Sequence, residues 1–267
     1  AHSAQWDDSI ELVGKRIGVV GTGSTGVQIV SAVSAGAKSV SHFTRSAQWI
    51  MPVQQFVYTE EQKAAFRKDP KLIDEVRYHP EYESNVRRFT TGIADPDTPE
   101  MKIIEQLCRD NLEQNVRDPV LREKLRPNYR AACKRLIYSP DYYDVVQKYG
   151  VDIVREGIER IEAKGVRTRD GKLHELDVIA ICTGYRVDRF IRPAVVRGRG
   201  GKLLDDVWAR SLTAYFAISL PDFPNFFLMQ GPTSPVGNLS LIDVAENQWK
   251  YIQQLIDRVA EGACDQI

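Results

Sequence analysis

The feature that most constrains this chain is a glycine-rich turn between a short apolar run and a helical pattern. The turn reads Gly21-Thr22-Gly23-Ser24-Thr25-Gly26, after Ile17-Gly18-Val19-Val20 and before Val27-Gln28-Ile29-Val30. In such a G-x-G-x-x-G turn the first glycine permits a tight bend, the second admits a pyrophosphate against the backbone, and the third lets helix and strand pack closely. Free amides and the helix dipole then face the anion. The pattern predicts dinucleotide binding; the alternative is an ordinary tight βα turn.

The segments after the turn have the periodicity of a helix and then of a strand. Three valines recur at near-helical spacing over a helix predicted from about residue 24 to residue 35. Residues 39–44 alternate as a second strand, which completes a βαβ unit. Gln28 lies in the first turn of the helix, where it is either a ligand of the pyrophosphate or an exposed polar residue.

The end of the second strand indicates which dinucleotide is bound. NAD-binding folds usually place an acidic residue there, about 20 residues past the glycines, to hold the ribose hydroxyls. This chain has Thr44-Arg45-Ser46 instead. A guanidinium forms two parallel hydrogen bonds to a phosphate, so Arg45 favours the 2′-phosphate of NADP. The alternative is an ordinary exposed arginine at the end of a strand.

Composition excludes several classes of function. The 267 residues suffice for one large domain or two modest ones, and 43% are hydrophobic, enough for a sizeable core. Lysine plus arginine equals aspartate plus glutamate at 36 each, so we expect no nucleic-acid partner. No long apolar span or leader pattern is present, so we expect no membrane partner. The cysteines lack a C-x-x-C spacing, which predicts no metal site and a reducing, cytoplasmic location; they are Cys108, Cys133, Cys182 and Cys264.

The rest of the chain predicts an insertion and a return to sheet. Residues from about 53 to 130 are charged and helical, with Thr98 as an N-cap before Pro99, and form either a lid or a solvated structural cap. Strands return between residues 151 and 182, where Asp177–Cys182 is apolar enough for burial on both faces. A terminal helix is predicted from about residue 241 to residue 261.

Several separated stretches together resemble type I Baeyer–Villiger monooxygenases, within the larger class of flavin-containing monooxygenases. His2-x-x-x-Trp6-Asp7 is similar to the second half of that family's fingerprint. The glycine turn corresponds to the family's NADPH-binding glycine motif. The remaining matches are Thr44-Arg45-Ser46, Cys133-Lys134-Arg135-Leu136, Thr183-Gly184-Tyr185 and Pro224-Asn225-Phe226-Phe227.

The resemblance implies roles for individual residues. NADP(H) and FAD would be the cofactors, and the substrates a ketone and O2, with an ester or lactone as product. Ser46 and Lys134 would join Arg45 on the 2′-phosphate, and Arg135 would be catalytic, because an arginine near the flavin keeps its positive charge and stabilises anionic oxygen. Otherwise Lys134-Arg135 only flanks a domain junction. Thr183-Gly184-Tyr185 would close the NADP-binding domain beside the cofactors.

The expected fold is α/β: a Rossmann-like NADP-binding domain with a helical insertion, plus part of an FAD-binding domain. The boundaries are a linker over 1–12, the NADP-binding domain over 13–183 and the incomplete FAD-binding domain over 184–267. The family's FAD-binding glycine motif is absent, so we expect a portion of a longer enzyme that lacks its N-terminal FAD-binding segment. Alternatives are an N- or S-oxygenating flavin monooxygenase or, for the isolated chain, a non-catalytic NADP-binding module.

Overall fold

The computed structural model describes residues 1–187, 189–234 and 240–267. The chain divides into two compact units, Ala1–Tyr185 and Arg186–Ile267. The elements of the first unit, in chain order, are β1 (Arg16–Val20), α1 (Ser24–Val33), β2 (Ser39–Phe43), β3 (Ile50–Met51), α2 (Glu60–Lys68), α3 (Lys71–Arg77), α4 (Pro80–Ala94), α5 (Pro99–Asn115), α6 (Pro119–Leu125), β4 (Ile137–Tyr138), α7 (Tyr142–Lys148), β5 (Asp152–Val154), β6 (Ile158–Glu162), β7 (Gly165–Thr168), β8 (Leu173–Glu175) and β9 (Val178–Ile181).

A parallel sheet forms the centre of the first unit. Its described strands run in the order β5-β2-β1-β9, and every neighbouring pair is parallel. The apolar run that precedes the glycine turn is β1, with Ile17 and Val19 fully buried, and Val27 and Val30 of α1 join the same core. The α/β fold with a βαβ unit at its start, predicted from the sequence, is therefore confirmed.

Helix α1 ends at Val33, two residues before the predicted end. Ser34 is the C-cap, and its backbone N–H bonds the Val30 carbonyl. The buried Ser34 hydroxyl donates to that same carbonyl oxygen at 2.6 Å. Serine hydroxyls that bond the backbone locally compete with helix continuation, which accounts for the early end.

The segment between β3 and β4 is helical, as predicted, and contains α2 to α6. Thr98 caps α5, its hydroxyl accepting from the Met101 N–H at 3.3 Å, and Pro99 is the first helical residue, so both predictions are confirmed. Helix α4 lies within this predicted segment, and its only buried residues are Phe89 and Gly92.

Strand β9 is less buried than its apolar sequence predicts. Only Ala180 is fully buried, because β9 is the last strand of the sheet on its side. The first residues of the chain lie along it: Ile181 N–H donates to the Ala1 carbonyl at 2.8 Å, and His2 forms a parallel bridge to Ile181. Both faces are nevertheless packed, with Val178 against the main core and Ile179 against the smaller cluster around Phe43.

The second unit contains two helices, α8 (Leu204–Arg210) and α9 (Leu241–Ala260), among its described residues. Its core consists of Leu204, Leu220, Phe223 and Leu228. The predicted terminal helix is thus confirmed, one residue shorter at its end. In the part of the chain that the structure describes, no helix combines the length and apolarity needed to cross a membrane.

Candidate functional site

The glycine turn joins β1 to α1, and two of its glycines are sterically required. A Cβ on Gly21, whose φ is +115°, would lie 2.3 Å from the Cys182 carbonyl oxygen. A Cβ on Gly26 would lie 2.0 Å from the Gly21 carbonyl oxygen. A Cβ on Gly23 would meet nothing within 4 Å, so the middle of the turn is open. The turn is therefore closed toward the core and open on its other side.

Helix α1 begins in this turn without a side-chain cap. Gly23 is the N-cap, in extended conformation, and no described side chain bonds the first amides. Ser24 and Gln28 are exposed on the first turns of the helix. The first N–H groups of a helix have no intrahelical partner, and together with the dipole they form an anion-binding position.

Three residues next to the turn form a second group, here named the cation cluster: Arg45, Ser46 and Lys134. The Thr22 hydroxyl donates to the Ser46 carbonyl at 3.2 Å, which ties the segment after β2 to the glycine turn. Lys134 Nζ donates to Ser46 Oγ at 2.9 Å, across 88 positions of sequence. Arg45 and Lys134 are exposed, and neither has an ion-pair partner among the described residues. Lys134 thus lies beside the segment that is tied to the turn, and Arg45 is in that segment.

Two residues that the sequence analysis did not assign to the site, Gln48 and Tyr129, support the cation cluster. Tyr129 lies under Lys134, with Nζ 4.3 Å from the ring centroid. Its hydroxyl donates to Gln48 Oε1 at 2.5 Å, and the Ala47 carbonyl oxygen lies 3.1 Å from the same hydroxyl. Burial raises the pKa of Tyr129 to about 12, so it remains a neutral donor at pH 7. Neither Gln48 nor Tyr129 belongs to a motif of fixed spacing. The signal that the sequence offers is that Gln48 lies close to Ser46 and Tyr129 lies close to Lys134.

Arg135 follows Lys134 in an irregular segment that leads into β4. It is exposed, and the contacts of the described residues include none between Arg135 and the glycine turn. Leu136 and Ile137, which follow, are buried and fix this segment to the core. The structure therefore brings Lys134 to the turn through Ser46, and no contact of the described residues brings Arg135 there.

Thr183, Gly184 and Tyr185 follow β9 at the same edge of the sheet as the glycine turn. Ile181 pairs in register with Val20, and Cys182 N–H donates to the Val20 carbonyl at 2.8 Å. All three residues are exposed, and Gly184 has a φ of +99°. Ligands of open parallel sheets bind beyond the carboxyl ends of the strands, where this segment lies.

These features define a class: an α/β unit with an anion-binding turn at the carboxyl end of its first strand and basic side chains beside it. No protein-family model matches the chain. The chain is 41% identical, over 264 residues, to an uncharacterised monooxygenase of Mycobacterium tuberculosis, covering 99% of the chain and 52% of that protein. It is 31% identical to a Baeyer-Villiger monooxygenase of Pseudomonas aeruginosa, covering 94% of the chain and 47% of that protein.

Solved structures give the same result. A crystal structure of cyclohexanone monooxygenase in an open state superposes with a TM-score of 0.81 at 28% identity, covering 99% of this chain and 58% of that one. Cyclohexanone monooxygenase from Rhodococcus sp. Phi1, bound to NADP+, gives a TM-score of 0.78 at 29% identity and covers 97% of this chain and 55% of that one. The homologues of this chain are thus Baeyer–Villiger and FAD-binding monooxygenases, as the sequence motifs indicated, and the chain spans about half of their length.

Proposed function

We propose that this chain is the NADP(H)-binding portion of a flavin-dependent monooxygenase that converts ketones to esters or lactones with O2. The observation that carries the proposal is the joining of the glycine turn to the cation cluster through Ser46, which bonds both Thr22 and Lys134. The names of the relatives support the reaction class, since a Baeyer-Villiger monooxygenase and cyclohexanone monooxygenase are among them.

The residues of the turn fit a dinucleotide. Gly21 and Gly26 close the turn toward the core, while the space above Gly23 is open and can admit a pyrophosphate. In the proposal the amides at the start of α1 bind the pyrophosphate, from Thr22 to Gly26, and Gln28 adds a side-chain hydrogen bond. Arg45, Ser46 and Lys134 bind the 2′-phosphate, which NAD lacks. The exposed Thr183-Gly184-Tyr185 lines the same edge.

FAD requires a second glycine cradle, which this sequence does not contain. Because the chain spans about half the length of its relatives, we assign this chain to a longer protein, in which 184–267 contributes part of the FAD-binding domain, 13–183 is the NADP-binding domain and 1–12 is the linker. When bound, the two cofactors supply hydride transfer and oxygen activation. Arg135 would keep a permanent positive charge beside the anionic oxygen of that reaction. All four cysteines are free thiols, which supports a reducing, cytoplasmic location.

Titration calorimetry of this chain with NADP+ and with NAD+ tests the binding role. We expect NADP+ to bind more tightly than NAD+, and an equal affinity for both would contradict the 2′-phosphate assignment. The absorption spectrum of the purified chain separates the bare module from a flavoprotein. A chain without flavin absorbance that still binds NADP+ is the non-catalytic module.

The longer enzyme tests the reaction. Arg135→Ala is expected to leave flavin reduction by NADPH intact while ester formation from a cyclic ketone is lost. Slower flavin reduction as the sole defect would contradict the role of Arg135. If the longer enzyme oxidises sulfides or amines and forms no ester, it is an N- or S-oxygenating flavin monooxygenase instead.

A further inference from the structure

A fully buried histidine lies under the glycine turn. His42 is in β2, in register with Val19 of β1, and none of its surface is exposed. Its Nε2 atom is 2.8 Å from the Gly21 carbonyl oxygen, and its Nδ1 atom is 2.9 Å from the Tyr142 hydroxyl. Tyr142 begins α7 and is itself buried. A buried imidazole with both nitrogens bonded is well defined in orientation, and one of its partners is the turn that the proposed function depends on.

The chemistry of the two partners fixes the proton on this ring. A carbonyl oxygen can only accept, so Nε2 carries the hydrogen and donates to Gly21. Nδ1 of the neutral ring is then an acceptor, and the Tyr142 hydroxyl donates to it. Burial lowers the pKa of His42 to about 4 and raises the pKa of Tyr142 well above its usual value, so both groups are neutral at pH 7.

The bond to Gly21 determines which way the next amide points. A trans peptide is planar, so the Gly21 carbonyl and the Thr22 N–H point in opposite directions. With the carbonyl directed at the buried imidazole, the Thr22 N–H is directed away from the core. The Gly21 N–H donates to the Phe43 carbonyl at 3.2 Å, so β2 holds this glycine on both of its peptide groups. A rotated peptide would present a carbonyl oxygen, which repels phosphate, where an N–H now lies.

We propose that His42, supported by Tyr142, is a positioning residue for the pyrophosphate of the dinucleotide. It holds the Gly21 carbonyl inside the protein and thereby directs the Thr22 N–H toward the anion. The inference rests on the proposed binding of NADP(H) to this turn. In this proposal His42 contributes to the affinity for NADP+ and NAD+ alike. The cation cluster contributes only to the affinity for dinucleotides with a 2′-phosphate.

Packing around the imidazole makes the substitution His42→Phe a suitable test. The void bordered by Thr22, His42 and Tyr142 measures about 10 Å³, at the lower limit for a single water molecule. A phenyl ring fills the place of the imidazole, so water is not expected to replace the lost donor. His42→Gln is the matched variant, because its side-chain amide N–H reaches about as far from the backbone as Nε2 does.

Titration calorimetry on this chain measures the effect with NADP+ and NAD+ as probes. We expect His42→Phe to weaken both by a similar factor of about ten, since the buried Gly21 carbonyl loses the side-chain donor that His42 provides. His42→Gln is expected to recover most of this loss. Wild-type affinity in His42→Phe, or a loss confined to NADP+, would overturn the positioning role while leaving the proposed function in place. Failure of the wild-type chain to bind either dinucleotide would overturn both.

Tyr142→Phe provides a second test that preserves the packing and remains informative if His42→Phe does not fold. It removes only the hydroxyl that holds Nδ1, so we expect a loss of about threefold for both dinucleotides. Tyr143→Phe is the control, because Tyr143 is equally buried but, among the described residues, the hydrogen bonds of His42 go to Tyr142 and Gly21. Equal affinities of the two tyrosine variants would contradict the inference.

Discussion

The glycine turn and the cation cluster meet at Ser46, but the turn offers backbone groups and the cluster offers side chains. The turn is backbone: Gly21 is bonded on both peptide groups, and Gly21 and Gly26 leave no space for a Cβ. The cluster consists of side chains, of which Arg45 and Lys134 are exposed, and Lys134 is held by one hydrogen bond and one aromatic ring. The geometry of the turn therefore depends on the folding of the sheet, whereas that of the cluster depends on contacts between side chains. We infer that the turn determines whether a dinucleotide binds and the cluster determines which one.

Gly26→Ala is expected to have the largest effect, because it acts on the turn itself. The new Cβ would lie 2.0 Å from the Gly21 carbonyl oxygen, so turn and helix must separate. We expect a lower melting temperature and a loss of more than about a hundredfold in affinity for NADP+ and NAD+ alike. Thermal unfolding measures the melting temperature, and titration calorimetry measures the two affinities.

Gly23→Ala is the matched control for that substitution. Gly23 has a φ of −70°, and a Cβ there meets nothing within 4 Å. Its melting temperature should remain near that of the wild type, with the loss confined to ligand affinity. If both alanine variants unfold at the same lowered temperature, the distinction between a closed and an open side of the turn is wrong.

Acid should destabilise the turn region through His42. Its pKa falls from 6.5 in the unfolded chain to about 4 in the fold, because burial disfavours the charged ring. The unfolded chain therefore binds the proton first as pH falls, and the stability gained from a neutral His42 is fully present above pH 6.5 and lost toward pH 4. This share is about 3 kcal/mol of unfolding free energy.

Urea unfolding at pH 7 and pH 4.5 measures this dependence. His42→Gln keeps a donor to Gly21 but does not titrate, so its unfolding free energy should fall less over the same interval. Carboxylates contribute equally to both proteins and cancel in the difference. If the unfolding free energy of the wild type and of His42→Gln depends on pH in the same way, the acid sensitivity does not come from His42.

The cation cluster should control selectivity alone. Lys134→Ala and Arg45→Ala are each expected to weaken NADP+ about ten- to a hundredfold, because each removes a charge-assisted bond to the 2′-phosphate. NAD+ affinity should not change. Lys148→Ala is a matched control, since Lys148 also lies over a tyrosine ring, at 5.2 Å, but has no bond to Ser46. Equal losses of affinity for NADP+ and NAD+ would contradict the assignment of separate roles to the glycine turn and the cation cluster.

The same division explains what could be predicted from sequence. The turn was predicted with its strand and helix, because its glycine spacing is a local steric requirement. Arg45 and Lys134 were assigned by residue type and resemblance, and the structure adds that Lys134 bonds Ser46, the residue that follows Arg45. His42, Gln48, Tyr129 and Tyr142 were not assigned to the site, since their contacts span 21 to 100 positions of sequence. No local pattern encodes such contacts.

The helices show the same difference between local sequence signals and contacts of residues that are distant in sequence. Helix α2 lies in the segment predicted as helical, and local sequence marks both of its ends, because Thr59 and Gln62 form a capping box at its start and basic residues fill its last turn. Helix α7 was missed: it has seven residues, its N-cap forms no side-chain bond, and three of its residues are buried. Its burial against α1 and β2 stabilises it, and that is tertiary information.

The smallest effect should come from Tyr129, which acts on the ligand only through Lys134. Tyr129→Leu removes both ring and hydroxyl, while Tyr129→Phe keeps the ring under Nζ. The ratio of their NADP+ affinities therefore isolates the cation–π contact, and we expect Tyr129→Leu to be weaker by a factor of about two to five. Their NAD+ affinities should be equal, because no 2′-phosphate reaches Lys134. If NAD+ also distinguishes leucine from phenylalanine, the ring supports the glycine turn itself, through Gln48 and Thr22.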